Sequence, residues 1–274
     1  MLSADEAAVP SAISRIDDRA GHQRPLRLLS YNIQAGITTT QYRHYITHSW
    51  KHVLPYSERM DNLDRIAEML ARFDIIGLQE VDAGSLRSGF VNQTDYLATR
   101  SRFPYWYDKT NRDLGIVAQH SIGLLSRFRP SRVTEHKLPG FIPGRGLIMV
   151  EFGTGSESLV LFIAHLALGK RARIRQIDYV ADLVGDHDHV IVMGDLNCTS
   201  SSPEIERLMA RAGLSEPDHH LHTYPSWRPE RNIDHILVSP SLEVTTTEVL
   251  SYPFSDHLPI AMEVDLPERV LLEA

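Results

Sequence analysis

The chain of 274 residues is 42% hydrophobic, enough to bury a sizeable core, and it holds no apolar run that approaches the length of a membrane span. Its single cysteine, Cys198, excludes an internal disulfide framework and agrees with a reducing compartment. The formal net charge of -7 is the wrong sign for a protein that holds nucleic acid chiefly by neutralising phosphates over its whole surface, although a local basic stripe or carboxylates gathered for a cation fit the same total.

Residues 1–24 are polar, mixed in charge and without the apolar centre of a secretion signal, so a flexible leader and cytoplasmic residence are expected. Residues 25–274 contain no Pro/Gly/Ser-rich linker and no internal repeat, which favours a single domain. The short apolar run 26–33 reads as a buried strand, ended by Gly36. An aromatic and basic stretch follows at 41–52, where His44, His48 and His52 recur every four residues. It admits two readings, a second metal site or, preferred, a rim helix that packs Tyr45 and Trp50 and borders the site to grip a head group or base. Residues 57–72 read as a helix, with Ser57 as N-cap and Met60, Leu63, Ala67 and Leu70 at helical spacing. Strands are expected at 73–81, 122–126, 146–152, 158–165, 190–193, 233–238 and 258–264. A second helix is expected at 171–184, where Ile174, Ile177, Ala181 and Val184 share a face. Many strands, several in succession, and few helices point to sheet-on-sheet packing flanked by helices.

Polar residues recur where these strands end: Asn32, Glu80, His165, Asp195 with Asn197, Asp234, and Asp256 with His257. The Ser255-Asp256-His257 triplet lies between apolar residues, and burying a carboxylate and an imidazole costs several kcal/mol unless each has a partner or a metal. Taken singly, each has an ordinary reading: Asn32 a turn residue, Glu80 a solvated strand end, Asp195 and Asn197 a loop pair, His165 a satisfied core histidine. Taken together they would be six uncoordinated polar groups after buried strands, whereas strand ends gathered at one sheet edge are where loops build sites. Carboxylate and amide oxygens suit a hard cation such as Mg²⁺ or Mn²⁺, while the lone cysteine and the lack of a His-Glu-x-x-His spacing argue against a structural or protease-type zinc site.

Ser30-Tyr31-Asn32, Gly77-Leu78-Gln79-Glu80-Val81, Ala164-His165-Leu166, Met193-Gly194-Asp195-Leu196-Asn197, Ile233-Asp234-His235-Ile236 and Ser255-Asp256-His257 together resemble the endonuclease/exonuclease/phosphatase superfamily. Its relatives include exonuclease III, neutral sphingomyelinases and inositol polyphosphate 5-phosphatases, and the likeness covers about residues 26–266. The resemblance implies a DNase I-like four-layer α/β sandwich, with two packed mixed β-sheets flanked by helices. It implies that Glu80 is the principal metal ligand, with Asn32 and Asp256 close to the same Mg²⁺ or Mn²⁺ ion. Asp195 would orient or deprotonate the attacking water, Asn197 would help hold the phosphate, His165 and His257 would grip non-bridging oxygens, and Asp234 would fix the tautomer of His257 and raise its pKa. The expected function is therefore metal-dependent hydrolysis of a phosphoester, a phosphodiester in first place, by in-line attack of water.

Substrate remains open between nucleic acid and a phospholipid or other small phosphodiester, with peripheral membrane contact compatible with the latter. A phosphomonoesterase or a non-catalytic binding protein of the same fold are the alternatives, and oligomeric state is left open. Ser121-Ile122-Gly123 replaces a Gly-Asn-Ala stretch found in many relatives, which removes a polar contact often supplied there. Thr223-Tyr224-Pro225-Ser226-Trp227 faintly resembles a 5-phosphatase element, but the residues after it differ. Arg145, in the loop 140–146, is a candidate to reach the phosphate. Lys170, Arg171, Arg173 and Arg175 read as a solvated charge run before a lipid or phosphate contact. Cys198 has no His/Asn partners of its own for nucleophilic catalysis, and His219, His220 and His222 read as a polar surface loop.

Overall fold

The computed structural model describes residues 24–36, 56–113, 119–140, 145–218 and 220–274. Residues 1–23 of the expected leader, Tyr45, Trp50 and the His44/His48/His52 repeat, the 141–144 part of the Arg145 loop, and His219 lie outside the described residues, whereas Arg24, the leader's last residue, is described. One sheet has six strands in the order β10 (Glu243–Val249), β11 (Ile260–Asp265), β1 (Leu26–Asn32), β2 (Ile75–Asp82), β4 (Gln119–Ser126) and β3 (Tyr105–Asp113). The other has five, β5 (Arg132–His136), β6 (Gly146–Phe152), β7 (Leu159–His165), β8 (His189–Asp195) and β9 (Asp234–Val238). Among the described residues only β1/β2 and β7/β8 pair in parallel; the remaining neighbours are antiparallel.

The central strands read as continuous apolar runs because both of their faces are covered. Along β7, Leu159, Leu161 and Ile163 enter the core between the sheets, while Val160, Phe162 and Ala164 face the helices α3 (Lys170–Val184) and α4 (Pro203–Ala212). Across the molecule, Leu29, Tyr31, Ile76 and Leu78 pack outward with Leu63, Ile66 and Leu70 of α1 (Tyr56–Leu70) and Leu97 and Ala98 of α2 (Gln93–Ser101). The result is the expected four-layer sandwich. Among the described residues no helix is long and apolar enough to cross a membrane.

Three strands are not anticipated by the sequence, β3, β5 and β10, and each lies at the edge of its sheet. With one flank open to water they keep polar residues on most positions, as in the half-exposed Glu243–Val249, so their period of two is diluted. The short helices α2 and α4 are also unanticipated, although α4 has a full set of end signals: Ser202 Oγ accepts from Ile205 N–H, Pro203 opens the helix, and Gly213 closes it at φ +66°. The first helix begins at Tyr56, so Ser57 lies inside it and is not its cap, and the last strand begins at Ile260, leaving Asp256 and His257 on the loop before it.

Candidate active site

Parallel pairing of β1 with β2 and of β7 with β8 brings the C-terminal ends of four central strands to the same end of the sandwich. Asn32 ends β1, His165 ends β7, Asp195 ends β8, and Asp234, opposite Asp195 in the antiparallel register, begins β9. The two sheets meet directly in this site, where Asn32 Nδ2 donates to Asp195 Oδ2 at 3.1 Å. Glu80 is the extra residue of a β-bulge: Gln79 faces Ile122 and Val81 faces Ser121, with nothing opposite Glu80. Its φ of +55°, rare for a residue with a side chain, re-aims the carboxylate towards the second sheet, where Oε1 lies 3.7 Å from His165 Nε2. Ser121 turns its hydroxyl onto Thr110 of β3 at 3.2 Å.

The Ser-Asp-His loop is fastened on both sides. Ser255 Oγ donates to Asn32 O at 2.6 Å and accepts from His257 N–H at 3.2 Å, while Ser226 N–H donates to Asp256 O at 2.8 Å and Leu258 N–H to Thr223 O at 2.8 Å. Within this frame His257 Nδ1 donates to Asp234 Oδ2 at 2.8 Å, the Thr223 hydroxyl donates to the same oxygen, and the Tyr224 ring lies 4.9 Å from the imidazole. Sequence reasoning gave no role to Thr223 or Ser255, although both stand in stretches it singled out.

Charges here are sorted. Burial disfavours the imidazolium of His257, but Asp234, with Asp195 and Asp256 beyond it, overcomes this and pushes the pKa up to about 10. Burial likewise opposes ionisation of Asp195, yet its bond to His165 and the charges of His257 and Arg145 hold that carboxyl well below the usual range. Burial, reinforced by Glu80 and Asp195 and opposed by His257, pushes Asp256 up to about 6. Ligand atoms of Asp195, Asp234 and His257 lie within 4.8 Å of one another, a buried set compatible with a divalent cation nearby.

Every described residue of the expected set is gathered at this end. His165 Nε2 is 3.3 Å from Asp195 Oδ2, and Arg145 Nη1 is 2.7 Å from the same ring nitrogen, so Arg145 contacts the site through His165. Asn197, at φ +55°, donates its N–H to Asp195 Oδ1 and its Nδ2–H to Leu166 O. Of the basic run, Lys170, Arg171 and Arg175 are exposed, but Arg173 is not solvated: it turns inward to Glu204 at 2.9 Å and to the carbonyls of Ala167 and Leu168. Cys198 is buried, with its thiol pushed up to about 11 chiefly by burial, and His220 and His222 face solvent.

Known structures with this architecture include an endonuclease/exonuclease/phosphatase protein of Beutenbergia cavernae (20% identity over 89% of this chain and 72% of that one, TM-score 0.68). They also include a mannosyl-6-phosphatase of Bacteroides thetaiotaomicron (20%, 87% and 99%, TM-score 0.64) and sphingomyelinase C of Streptomyces griseocarneus (16%, 88% and 99%, TM-score 0.59). A search of curated proteins finds no match. The family model described as Endonuclease/Exonuclease/phosphatase family matches residues 29–257, a span that begins on β1 and ends on His257, and the chain belongs to that family.

Proposed function

We propose that the protein is a hydrolase of phosphodiesters that works with Mg²⁺ or Mn²⁺ and activates water for in-line attack on phosphorus. The observation that carries this reading is the buried meeting of Asp195, Asp234 and His257, whose ligand atoms lie within 4.8 Å of one another, with Asn32 of the other sheet bonded to Asp195; these surroundings favour a carboxylate at Asp195 and an imidazolium at His257. Asp195 is fixed by Asn32 on one oxygen and by the Asn197 N–H on the other, so it orients a water and accepts its proton at a carboxylate oxygen. His257 has Nδ1–H committed to Asp234, which leaves Nε2–H for a non-bridging phosphate oxygen as negative charge develops. His165, with Arg145 2.7 Å from its Nε2, and the Asn197 amide, which keeps one Nδ2–H beyond the one given to Leu166 O, are the further groups that would meet the phosphate.

Asn32, Glu80 and Asp256 are the residues that would hold the cation. They offer only oxygen ligands, and the burial, reinforced by Glu80 and Asp195, that raises Asp256 is what a hard divalent ion would offset. When bound, such an ion supplies charge neutralisation at the phosphate. The sphingomyelinase C among the structural neighbours acts on a phosphodiester and the mannosyl-6-phosphatase on a monoester. The diester is favoured here because the four carboxylates Glu80, Asp195, Asp234 and Asp256 share the site with His257 and Arg145, and a bound divalent ion would bring that set close to neutrality, which suits one phosphate charge better than two.

The test is turnover of plasmid DNA, RNA, sphingomyelin, bis(4-nitrophenyl) phosphate and inositol phosphates in parallel with Mg²⁺ or Mn²⁺. Glu80→Ala and His257→Ala should each lower the rate by roughly 10²–10⁴-fold. Calorimetry should show Mn²⁺ binding to the wild type and none to Glu80→Ala; equal binding by both would contradict the ligand assignment, and full activity in both variants the mechanism.

A further inference from the structure

A buried ion pair stands behind the loop that carries Asn197. His235 follows Asp234 on β9, so its side chain leaves the strand on the opposite face from the phosphate-side carboxylate, and it is fully buried. Its Nε2 lies 2.7 Å from the carbonyl oxygen of Cys198, and its Nδ1 lies 2.6 Å from Glu216 Oε1, on a carboxylate only 5% exposed. A carbonyl accepts and cannot donate, so Nε2 carries a hydrogen; a carboxylate likewise calls for a hydrogen on Nδ1. Both donors of the ring are thus used, one to an anchor and one to the catalytic loop.

That loop needs an anchor. Asn197 sits at φ +55°, a conformation that side chains disfavour, and from it the backbone N–H reaches Asp195 Oδ1 while Nδ2 reaches Leu166 O. Cys198 follows directly, and its carbonyl is the atom His235 holds. Gly194, the register partner of His235 on β8, has no side chain to support the loop, because a Cβ there would collide with the Ala164 carbonyl.

We infer that His235 is a positioning residue of the hydrolytic site: anchored by Glu216, its Nε2–H holds the Cys198 carbonyl, keeps Asn197 in its left-handed conformation and so fixes the orientation of Asp195. The inference rests on the hydrolase reading and adds two residues to it. Since the loop carries both the N–H that orients Asp195 and the Asn197 amide that meets the phosphate, loosening the anchor lowers kcat and raises KM together.

Removing one partner alone would strand a buried charge, so the variant to use is His235→Phe combined with Glu216→Leu, which makes both positions apolar. With bis(4-nitrophenyl) phosphate and Mn²⁺, its kcat should fall by about 10–100-fold and its KM rise by more than about threefold. Glu216→Gln, which leaves Nε2–H on a neutral ring, should keep kcat within about threefold. A double variant that melts like the wild type and keeps its kcat within twofold would overturn the inference, as would a Glu216→Gln loss equal to that of the double variant. Should the double variant fail to fold, long-range ¹H–¹⁵N correlation on the wild type decides instead: protons on both nitrogens of His235 are expected, and a bare Nε2 refutes the anchor. If the wild type hydrolyses no phosphoester, the hydrolase reading falls separately. The anchor is then read from amide exchange, which should speed up at Asn197 by at least about tenfold in the double variant, with β7 unchanged, and equal exchange refutes it.

Discussion

Asp234 serves two donors with one oxygen: Oδ2 takes both the His257 Nδ1–H and the Thr223 hydroxyl, while Oδ1 is buried without a hydrogen-bond partner among the described residues. The carboxylate charge is thereby directed at the imidazole, and in a buried setting that charge decides the protonation of His257. A histidine whose folded pKa is raised stays protonated below that value, so activity that needs the imidazolium should persist until pH rises through about 10. Asp234→Asn removes the largest upward cause and leaves burial, which lowers the pKa, opposed only by the more distant Asp195 and Asp256. The alkaline limb of the kcat/KM profile should therefore move down by several pH units, and the rate at pH 8 should drop by roughly 10²–10⁴-fold. An unmoved limb in that variant would show that another group sets it. This pairing was open to sequence reasoning only through family resemblance, since nothing in the spacing of Asp234 and His257 says that a hydrogen bond joins them. Thr223 was hidden for a plainer reason: a hydroxyl on a loop carries no pattern.

What the sequence discloses of the elements follows how completely each is covered. β1, β2, β7 and β8 are packed on both faces and stand out as apolar runs, and the polar residues at or near their ends, Asn32, Glu80, His165 and Asp195, were legible for that reason. The bulge that aims Glu80 was not, because a single unpaired residue depends on the register of β4 across from it. The basic residues at the start of α3 show the reverse error, in which charge suggests exposure. Arg173 instead spends its guanidinium on Glu204 at the first turn of α4 and on two carbonyls of the loop after His165, tying both outer helices to that loop. Glu204→Ala leaves a buried arginine unpaired and should cost about 3–5 kcal/mol in urea unfolding, with Glu204→Leu combined with Arg173→Met recovering much of it. A cost below about 1 kcal/mol would place the pair among ordinary surface bridges.

At the scale of the whole molecule, the end of the sandwich away from the site is held by Asp74, whose buried carboxylate takes bidentate bonds from Arg24 and further bonds from Arg27. Burial would raise its pKa, but these arginines hold it at about 2. A carboxyl held down in the fold binds its proton more weakly there than in the unfolded chain. Its contribution is therefore complete above about pH 4 and disappears as pH falls through about 2. Allowing for the partial exposure of both arginines, the stability gap between wild type and Asp74→Asn should be about 1–2 kcal/mol at pH 7 and close near pH 2. A gap that does not depend on pH would assign the effect to packing. The Asn32–Asp195 bond at the other end has a wider consequence, because it ties a residue of one sheet to a residue of the other across the filling between them. The thickness of that filling therefore sets the distances at which water, phosphate and imidazole meet. Gly77 lies within it, where an added Cβ would come to 2.9 Å from Met193 Cε and 3.1 Å from Ile163 Cγ2. Gly77→Ala should cost only about 1 kcal/mol, as the flexible methionine end gives way, yet lower kcat by about tenfold through a spread of a few tenths of an ångström. Hydrophobic residues that touch no substrate thus act as the calipers of the reaction.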